Sequence, residues 1–166
     1  MIRQLEVKDS NSYYKIRLEG LRLHPEAFGT GAEDWSKATD DQIKSLLEKS
    51  NQDDFVLGYF LDEELAGVIG LKREKKHSVE HKGTVWGLVV LPSFRRQGIG
   101  KSLLESLIKR AAQHQKLQYI RAVVTVSPLN AQCVFELCGF QTYGVEKRGI
   151  KEGSNFFDQT FMMLNL

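Results

Sequence analysis

One short segment of the sequence combines two glycines with three basic residues at a spacing that suits anion binding. Gly98 and Gly100 let the backbone approach a ligand closely and adopt dihedral angles that a side chain would forbid. Arg95, Arg96 and Lys101 add positive charge. If a helix begins at these glycines, its first N–H groups lack internal partners and its dipole is positive there. The segment therefore predicts a site for a phosphate or pyrophosphate, although an ordinary tight turn with basic surface residues fits the same pattern.

The flanking patterns predict a strand that leads into this segment and an amphipathic helix that leaves it. Trp86 to Leu91 is a nearly continuous apolar run of strand length, and Pro92 stops it. After the glycines the period changes, because apolar residues recur at helical spacing: Ile99, Leu103, Leu104, Leu107, Ile108 and Ala111. The predicted anion site therefore lies in a strand-to-helix turn.

Two common phosphate-binding motifs fail at this turn. Gly100-Lys101-Ser102 resembles the end of a P-loop, but Arg95 stands where that motif needs its first glycine. The dinucleotide fingerprint needs a third glycine where Leu103 stands. Glycine has a physical role at both failing positions, so a P-loop nucleotide hydrolase is a weak alternative.

The pattern that does fit is Arg95-x-x-Gly98-x-Gly100 after a strand that ends in Val90-x-Pro92. It resembles the acetyl-CoA-binding motif of the GNAT superfamily of N-acetyltransferases. The resemblance covers essentially the whole chain, because further segments are similar to bacterial members of that family: residues 2–5, 18–21, 25–29, 86–90, 139–140 and 157–163.

The resemblance implies an α+β fold in which helices flank a central mixed, mostly antiparallel sheet. Patterns along the chain predict the order β-α-α-β-β-β-α-β-α-β-β, which is the order of that family. We expect one domain over residues 1–166, with acetyl-CoA as co-substrate and no metal. Without the motif, the patterns alone would indicate only a single α+β domain.

The resemblance also implies which positions bind the cofactor. In that family pantetheine lies along the fourth strand and the pyrophosphate lies on the N–H groups of the turn. The matching positions are Leu88, Val89, Val90, Arg95, Arg96, Gln97, Gly98, Ile99, Gly100, Lys101, Ser102, Asn130 and Phe135. The strand positions fit a buried core strand equally well, and Asn130 also fits a polar residue at a helix start.

The sequence departs from the family at the proton donor. Many members have a tyrosine that protonates the leaving thiolate, and Phe135 stands in its place without a hydroxyl. Tyr143 or a water molecule would then have to supply the proton. The catalytic base is left unassigned among four candidates, each of which fits a solvated or structural role: Glu19, Glu26, Glu80 and His81.

The expected acceptor is the primary amine of a small molecule or a peptide, attacking the thioester directly in a ternary complex. The resemblance places it between residues 25–35 and the final hairpin, where four aromatic side chains could line a cleft: Phe28, Trp35, Tyr143 and Phe157. For Phe157 a core position is the better interpretation. A basic stretch, residues 72–82, could attract an acidic acceptor or simply be a solvated loop. The alternative from another class is a non-catalytic acyl-CoA-binding sensor.

Composition excludes several other classes. The net charge of +2 does not predict nucleic acid as a partner, and no apolar run approaches the roughly 20 residues that span a bilayer. The N-terminal segment lacks the apolar core of a signal peptide, so we expect a cytoplasmic protein. Cys133 and Cys138, the only cysteines, have no cluster with which to share a metal. Homodimers are common in the family, although no segment here requires one.

Overall fold

The computed structural model describes residues 1–28, 31–127 and 131–166, and its centre is a seven-stranded sheet with helices on both faces. The sheet order is β1-β2-β3-β4-β5-β7-β6. The strands are β1 Ile2–Gln4, β2 Asp54–Leu61, β3 Glu64–Arg73, β4 Lys82–Val90, β5 Tyr119–Thr125, β6 Gln141–Glu152 and β7 Asn155–Asn165. The α-helices are α1 Ser10–Leu23, α2 Ala32–Ser36, α3 Asp40–Glu48, α4 Ile99–Ala111 and α5 Ala131–Leu137.

The pairing of the strands is mixed and mostly antiparallel. Of the pairings among the described residues, only that of β4 with β5 is parallel. The predicted α+β fold is therefore confirmed. Among the described residues, no helix is long and apolar enough to cross a membrane.

Two apolar clusters fill the two faces of the sheet. Successive residues of β2 point to opposite faces, so Phe55 and Leu57 join one cluster whereas Val56 joins the other. Helices α4 and α5 cover the first face with Leu103, Leu104, Leu107 and Phe135. Helices α1 and α3 cover the second face with Tyr13, Ile16, Ile43 and Leu47. The sheet is thus held between two helical layers.

Three boundaries differ from those that the sequence patterns predict, which are a strand over residues 2–7, a loop over residues 28–36 and a final hairpin with strands at residues 140–145 and 156–164. The first strand ends at Gln4, because Asp9 folds back to accept hydrogen bonds from Arg3 and from the Glu6 N–H at 2.8 Å. The expected loop at residues 28–36 contains the five-residue helix α2, whose Trp35 packs on α1. The last hairpin is longer than predicted, since β6 runs to Glu152.

Strand β4 has two irregularities that shape its carboxyl half. Gly70 pairs with Trp86 and Val68 with Val89, so Gly87 and Leu88 together stand opposite the single residue Ile69. This is a β-bulge, and Gly87 supplies the positive φ of 66° that it requires. In addition, β4 pairs with β5 only over Lys82–Thr84, and beyond that point the strands separate. The bulge and the opening lie beside each other.

Helix α1 packs very closely on this half of β4. A Cβ atom at Gly20 would lie 2.9 Å from a methyl carbon of Val89, so only glycine permits the observed approach. This contact brings the carboxyl end of α1 next to the end of β4.

Candidate functional site

The turn between β4 and α4 leads into a helix whose first backbone N–H groups have no acceptor within that helix. Arg96 and Gly98 both have left-handed dihedral angles, with φ of 61° and 77°. The Ser102 N–H donates to the Gly98 carbonyl at 3.0 Å, which makes Ser102 the first donor within the helix. The N–H groups of Ile99, Gly100 and Lys101 therefore have no partner within α4. They lie at the positive end of a 13-residue helix, where an anion is stabilised.

A cleft of about 620 Å³, called here the main cleft, opens at this turn. The end of α1, the end of β4, the start of α4 and helix α5 form its walls. Its lining residues are Gly20, His24, Phe28, Leu88, Val89, Val90, Phe94, Arg95, Arg96, Gly98, Ile99, Gly100, Lys101, Ala131, Val134 and Leu137. One end of the cleft is therefore basic and rich in N–H groups, and the other end is apolar.

Most of the residues predicted for cofactor binding line the main cleft. They are Leu88, Val89, Val90, Arg95, Arg96, Gly98, Ile99, Gly100 and Lys101. The Ile99 side chain is buried in the core, so its contribution to the cleft is mainly backbone. Gln97 and Ser102 are not among the lining residues, and Asn130 lies outside the described residues.

Phe135 lines a second, smaller space. This side cavity, of about 90 Å³, lies where β4 and β5 separate, and its walls include Trp86, Gly87, Leu88 and Phe28. The ring of Phe28 borders both spaces. The bulge of β4 consequently lies between the main cleft and the side cavity.

Arg95 forms hydrogen bonds to other residues of the protein, whereas its charge alone suggests a direct contact with an anion. Its Nε donates to the Val90 carbonyl at 3.0 Å, and its Nη1 lies 3.3 Å from Nε2 of His24. The other ring nitrogen of His24 lies 3.3 Å from Glu26 Oε1. Because Arg95 can only donate, His24 Nε2 accepts and Nδ1 donates to Glu26. The guanidinium thus fixes the turn to both β4 and the end of α1.

The four candidate bases lie in different places. Glu19 is exposed, and Glu26 is paired with His24 next to the main cleft. Glu80 accepts from Lys116 at 3.0 Å, a bond that lowers the pKa of Glu80. His81 packs against Tyr119, beside the first residue of β4 and away from the turn. Of the four, Glu26 is the one hydrogen-bonded to a residue that lines the main cleft, His24.

The predicted aromatic set is only partly brought together. Phe28 and Trp35 both contact one buried side chain, Arg17, whose guanidinium carbon lies 5.1 Å and 5.4 Å from the two ring centroids. Tyr143, which is 55% exposed, instead packs against Phe161 at 6.1 Å and lines neither the main cleft nor the side cavity.

Two of the five cations in the basic stretch at residues 72–82, Arg73 and Lys75, form ion pairs. Arg73 donates to both Asp53 and the Glu80 carbonyl, and Lys75 lies 3.4 Å from Asp54. These bonds hold the segment between β3 and β4 against Asp53 and Asp54. Within the described part of the chain, no group of three His, Cys, Asp or Glu side chains is arranged to hold a metal ion.

Arg17 is the residue of this region that the sequence analysis missed. Its side chain is 6% exposed, and Nε and Nη1 have no hydrogen-bond partner among the described residues. Burial lowers the pKa of Arg17 and raises the pKa of its neighbour Tyr13 to about 12. A signal was present in the sequence, because Arg17 interrupts the apolar stripe of α1 at Tyr13, Ile16, Gly20 and Leu21.

Known proteins share the sequence pattern and the fold of this chain. A family model described as "Acetyltransferase (GNAT) family" matches residues 10–140. No curated protein matches the chain. A GNAT-family acetyltransferase from Streptococcus pneumoniae has a TM-score of 0.90 at 23% identity, covering 100% of this chain and 99% of its own.

Two further solved structures have the same fold. A ribosomal-protein-alanine N-acetyltransferase from Brucella melitensis has a TM-score of 0.85 at 19% identity, covering 100% of this chain and 99% of its own. A putative acetyltransferase from Salmonella typhimurium, solved with its cofactor acetyl-CoA, has a TM-score of 0.85 at 18% identity, covering 99% and 92%. At these identities the likeness concerns the fold alone.

Proposed function

Since this chain belongs to the acetyltransferase (GNAT) family, we propose that it transfers the acetyl group of acetyl-CoA to a primary amine of a small molecule or peptide by direct attack in a ternary complex. The observation that carries the proposal is the main cleft, which extends from the basic turn before α4 to the bulge of β4. A nucleotide carrier with an apolar arm needs such a basic end and such an apolar end.

The residues of the main cleft fit CoA in chemical type. The N–H groups of Ile99, Gly100 and Lys101 would hold the pyrophosphate, and Arg95 would keep the turn in place. Leu88 and Val90, with Ala131 and Val134 opposite, would enclose the pantetheine arm in an apolar channel. When bound, acetyl-CoA supplies the acetyl thioester. No side chain of this channel needs to ionise for binding.

The bulge would place backbone donors at the reacting end. Gly87 and Leu88 face one residue of β3, so the regular ladder of hydrogen bonds is interrupted there. A backbone N–H freed in this way can stabilise negative charge that develops on an acyl oxygen. Phe28 and Trp86 flank the same point and would exclude water from it.

The amine must be neutral to attack. The candidate side chain nearest to the cleft, Glu26, is already hydrogen-bonded to His24. We therefore assign deprotonation to solvent, which favours amines of low basicity: an α-amino group has a pKa of about 7.7–8.0, against about 10.4 for a lysine side chain. A peptide N-terminus fits this condition better than a lysine does.

One observation favours a second candidate, a non-catalytic acyl-CoA-binding sensor. Phe135 occupies the position of the usual proton donor, is buried, and packs edge-on against Phe140 at 5.0 Å. A sensor would bind acetyl-CoA and release no thiol with any amine.

Thiol release from acetyl-CoA in the presence of a panel of amines separates the two candidates. An acetyltransferase gives amine-dependent release, and the acetylated amine is identified by mass spectrometry. Release must be lost in the Gly100→Asp variant, which places a carboxylate at the proposed pyrophosphate position. Tight acetyl-CoA binding without release for any amine would contradict the catalytic proposal and support the sensor.

A further inference from the structure

Arg17 is a buried cation that has no anionic partner among the described residues. It lies on α1 with 6% of its surface exposed, and Nε and Nη1 find no acceptor among the described residues. No carboxylate contributes to its pKa, which burial lowers. Arginine stays charged in proteins, so a positive charge is held here in a poorly hydrated place. Buried charges are normally paired, which makes the lack of a partner informative.

Three aromatic rings surround this guanidinium. Its central carbon lies 5.1 Å from the centroid of Phe28, 5.4 Å from that of Trp35 and 5.8 Å from that of Trp86. Contacts with ring faces offset part of the cost of burying the charge. They do not use the N–H groups, which still need acceptors. We call Arg17 and these three rings the arginine cage.

The arginine cage adjoins the reacting end of the proposed site. Nη1 of Arg17 lies 2.9 Å from the position that a Cβ atom at Gly87 would take, directly over the bulge of β4. Phe28 and Trp86 are also walls of the side cavity, and Phe28 is a wall of the main cleft. All three rings are only half-buried. An acceptor held at the bulge would therefore lie beside the Phe28 and Trp86 rings of the cage.

We propose that Arg17 binds a carboxylate of the acceptor, so that the substrates are amines bearing a carboxylate close to the amino group. This inference rests on the proposed acetyltransferase function and names its acceptor class. The single negative charge of a carboxylate matches the single positive charge of Arg17. A phosphate carries a charge of about −1.5 to −2, so binding it here would leave an excess of negative charge buried. Amino acids and short acidic peptides belong to this class.

The test compares acceptors that differ only in the carboxylate. Values of kcat/KM are measured for free amino acids, for the same amino acids as C-terminal amides, and for aminoalkyl phosphonates. The amides have the less basic amines, so amine basicity alone would favour them. We expect kcat/KM to be about tenfold or more higher for the free acids than for the amides, because a hydrogen bond between two charged groups stabilises binding by that factor. The phosphonates should be poorer than the acids.

Variants of Arg17 test whether this residue causes the preference for free acids over amides. Arg17→Met should reduce the acid-to-amide ratio to within about twofold of unity, and Arg17→Lys, which keeps the charge but loses the planar group, should retain part of it. Arg22→Met removes an exposed arginine from the same helix and should leave the ratio unchanged. If Arg17→Met does not fold, the acid-to-amide ratio of Arg17→Lys is the test instead. The proposal then requires that this ratio be at least about threefold lower than in the wild type.

Stabilisation by acetyl-CoA is measured for every variant, which separates two kinds of failure. If acetyl-CoA stabilises the wild-type protein and amides are acetylated as well as acids, the acceptor inference fails and the acetyltransferase function stands. Acetylation confined to amines without a carboxylate also overturns the inference, as does an unchanged ratio in Arg17→Met. If acetyl-CoA neither stabilises the protein nor is consumed with any amine, the proposed function itself fails.

Discussion

Nη1 of Arg95 lies 3.3 Å from Nε2 of His24, and this contact joins the turn before α4 to the end of α1 across 71 residues of sequence. The same guanidinium donates to the Val90 carbonyl at 3.0 Å. The turn that is proposed to bind the pyrophosphate is thus held from two sides. Arg95 acts in this account as a positioning residue, and its geometry matters more than its charge.

Replacing Arg95 by lysine tests that role. Lysine keeps the positive charge but cannot reach both partners with a planar group. We expect acetyl-CoA affinity to fall about tenfold, and the free energy of unfolding to fall by about 1 kcal/mol for the lost hydrogen bonds. Isothermal titration and urea denaturation measure the two quantities. Lys109→Arg, at an exposed position on α4 outside the lining of the main cleft, is the control. Unchanged affinity in Arg95→Lys would show that charge alone is needed.

Replacing Gly100 by aspartate separates binding from folding. A Cβ atom at Gly100 would lie 3.7 Å from a Val90 methyl carbon, which is an ordinary contact. Aspartate in the first turn of α4 also interacts favourably with the helix dipole, so the free protein should remain folded and keep its melting temperature. Its carboxylate should abolish CoA binding by repelling the pyrophosphate. Gly100→Ala, which adds bulk without charge, should weaken binding much less, and equal losses in both variants would point to sterics instead.

Replacing Gly87 by alanine tests the bulge. A positive φ of 66° and the nearby Arg17 Nη1 both oppose a Cβ atom there. We expect a loss of roughly 1 kcal/mol or more of stability, together with a fall in kcat at near-normal acetyl-CoA affinity. Gly153→Ala is the matched control, because Gly153 has a φ of 60° in the β6–β7 turn with open space around it. That variant should lose stability without losing kcat. A normal kcat in Gly87→Ala would remove the bulge from the mechanism.

The structure accounts for part of the acid sensitivity expected of the fold. Asp53 accepts from Arg73 Nη2 at 3.0 Å and lies 2.8 Å from His114 Nε2, and the bond from Arg73 contributes most to lowering the pKa of Asp53 from 3.8 to about 2. Because the folded-state pKa is the lower one, the stabilisation is complete above about pH 4 and is lost as the pH falls towards 2. This stabilisation contributes about 2 kcal/mol to the free energy of unfolding.

The corresponding variant is Asp53→Asn. At pH 7 we expect it to be less stable than the wild type by about 2 kcal/mol, and the difference should shrink as the pH falls from 4 to 2. Urea denaturation across this range measures it. Glu146→Gln, at an exposed position on β6, should show no such convergence. A difference that stayed constant with pH would mean that the carboxylate of Asp53 is not the stabilising group.

Much of the fold, including the turn between β4 and α4, could be predicted from local patterns. Pro92 ended a strand, Gly98 and Gly100 preceded a helical period, and Thr39 and Gln42 form the capping box that begins α3. These signals lie within a few residues of the structure they specify. The same holds for the β2–β3 hairpin, whose strands are joined by the charged turn at Asp62 and Glu63.

The acceptor side of the site could not be predicted in this way. The arginine cage depends on Phe28, Trp35 and Trp86, which come from three separate segments and meet only in the folded chain. The bonds of Arg95 to Val90 and His24 are likewise tertiary, so its basic charge alone suggested a direct role with the anion. Short local distortions were also missed, because the end of β1 is set by Asp9 accepting from Arg3.

Thermal stability with acetyl-CoA, free CoA and ATP, each at the same concentration, tests the central claim most directly. A ligand at about 100 times its dissociation constant adds about 2.7 kcal/mol to the free energy of unfolding. We predict that both CoA compounds raise the melting temperature clearly, that ATP does not, and that Gly100→Asp removes the effect. If neither CoA compound raises the melting temperature of the wild-type protein, the turn at Arg95 to Gly100 does not bind the cofactor, and the account is contradicted.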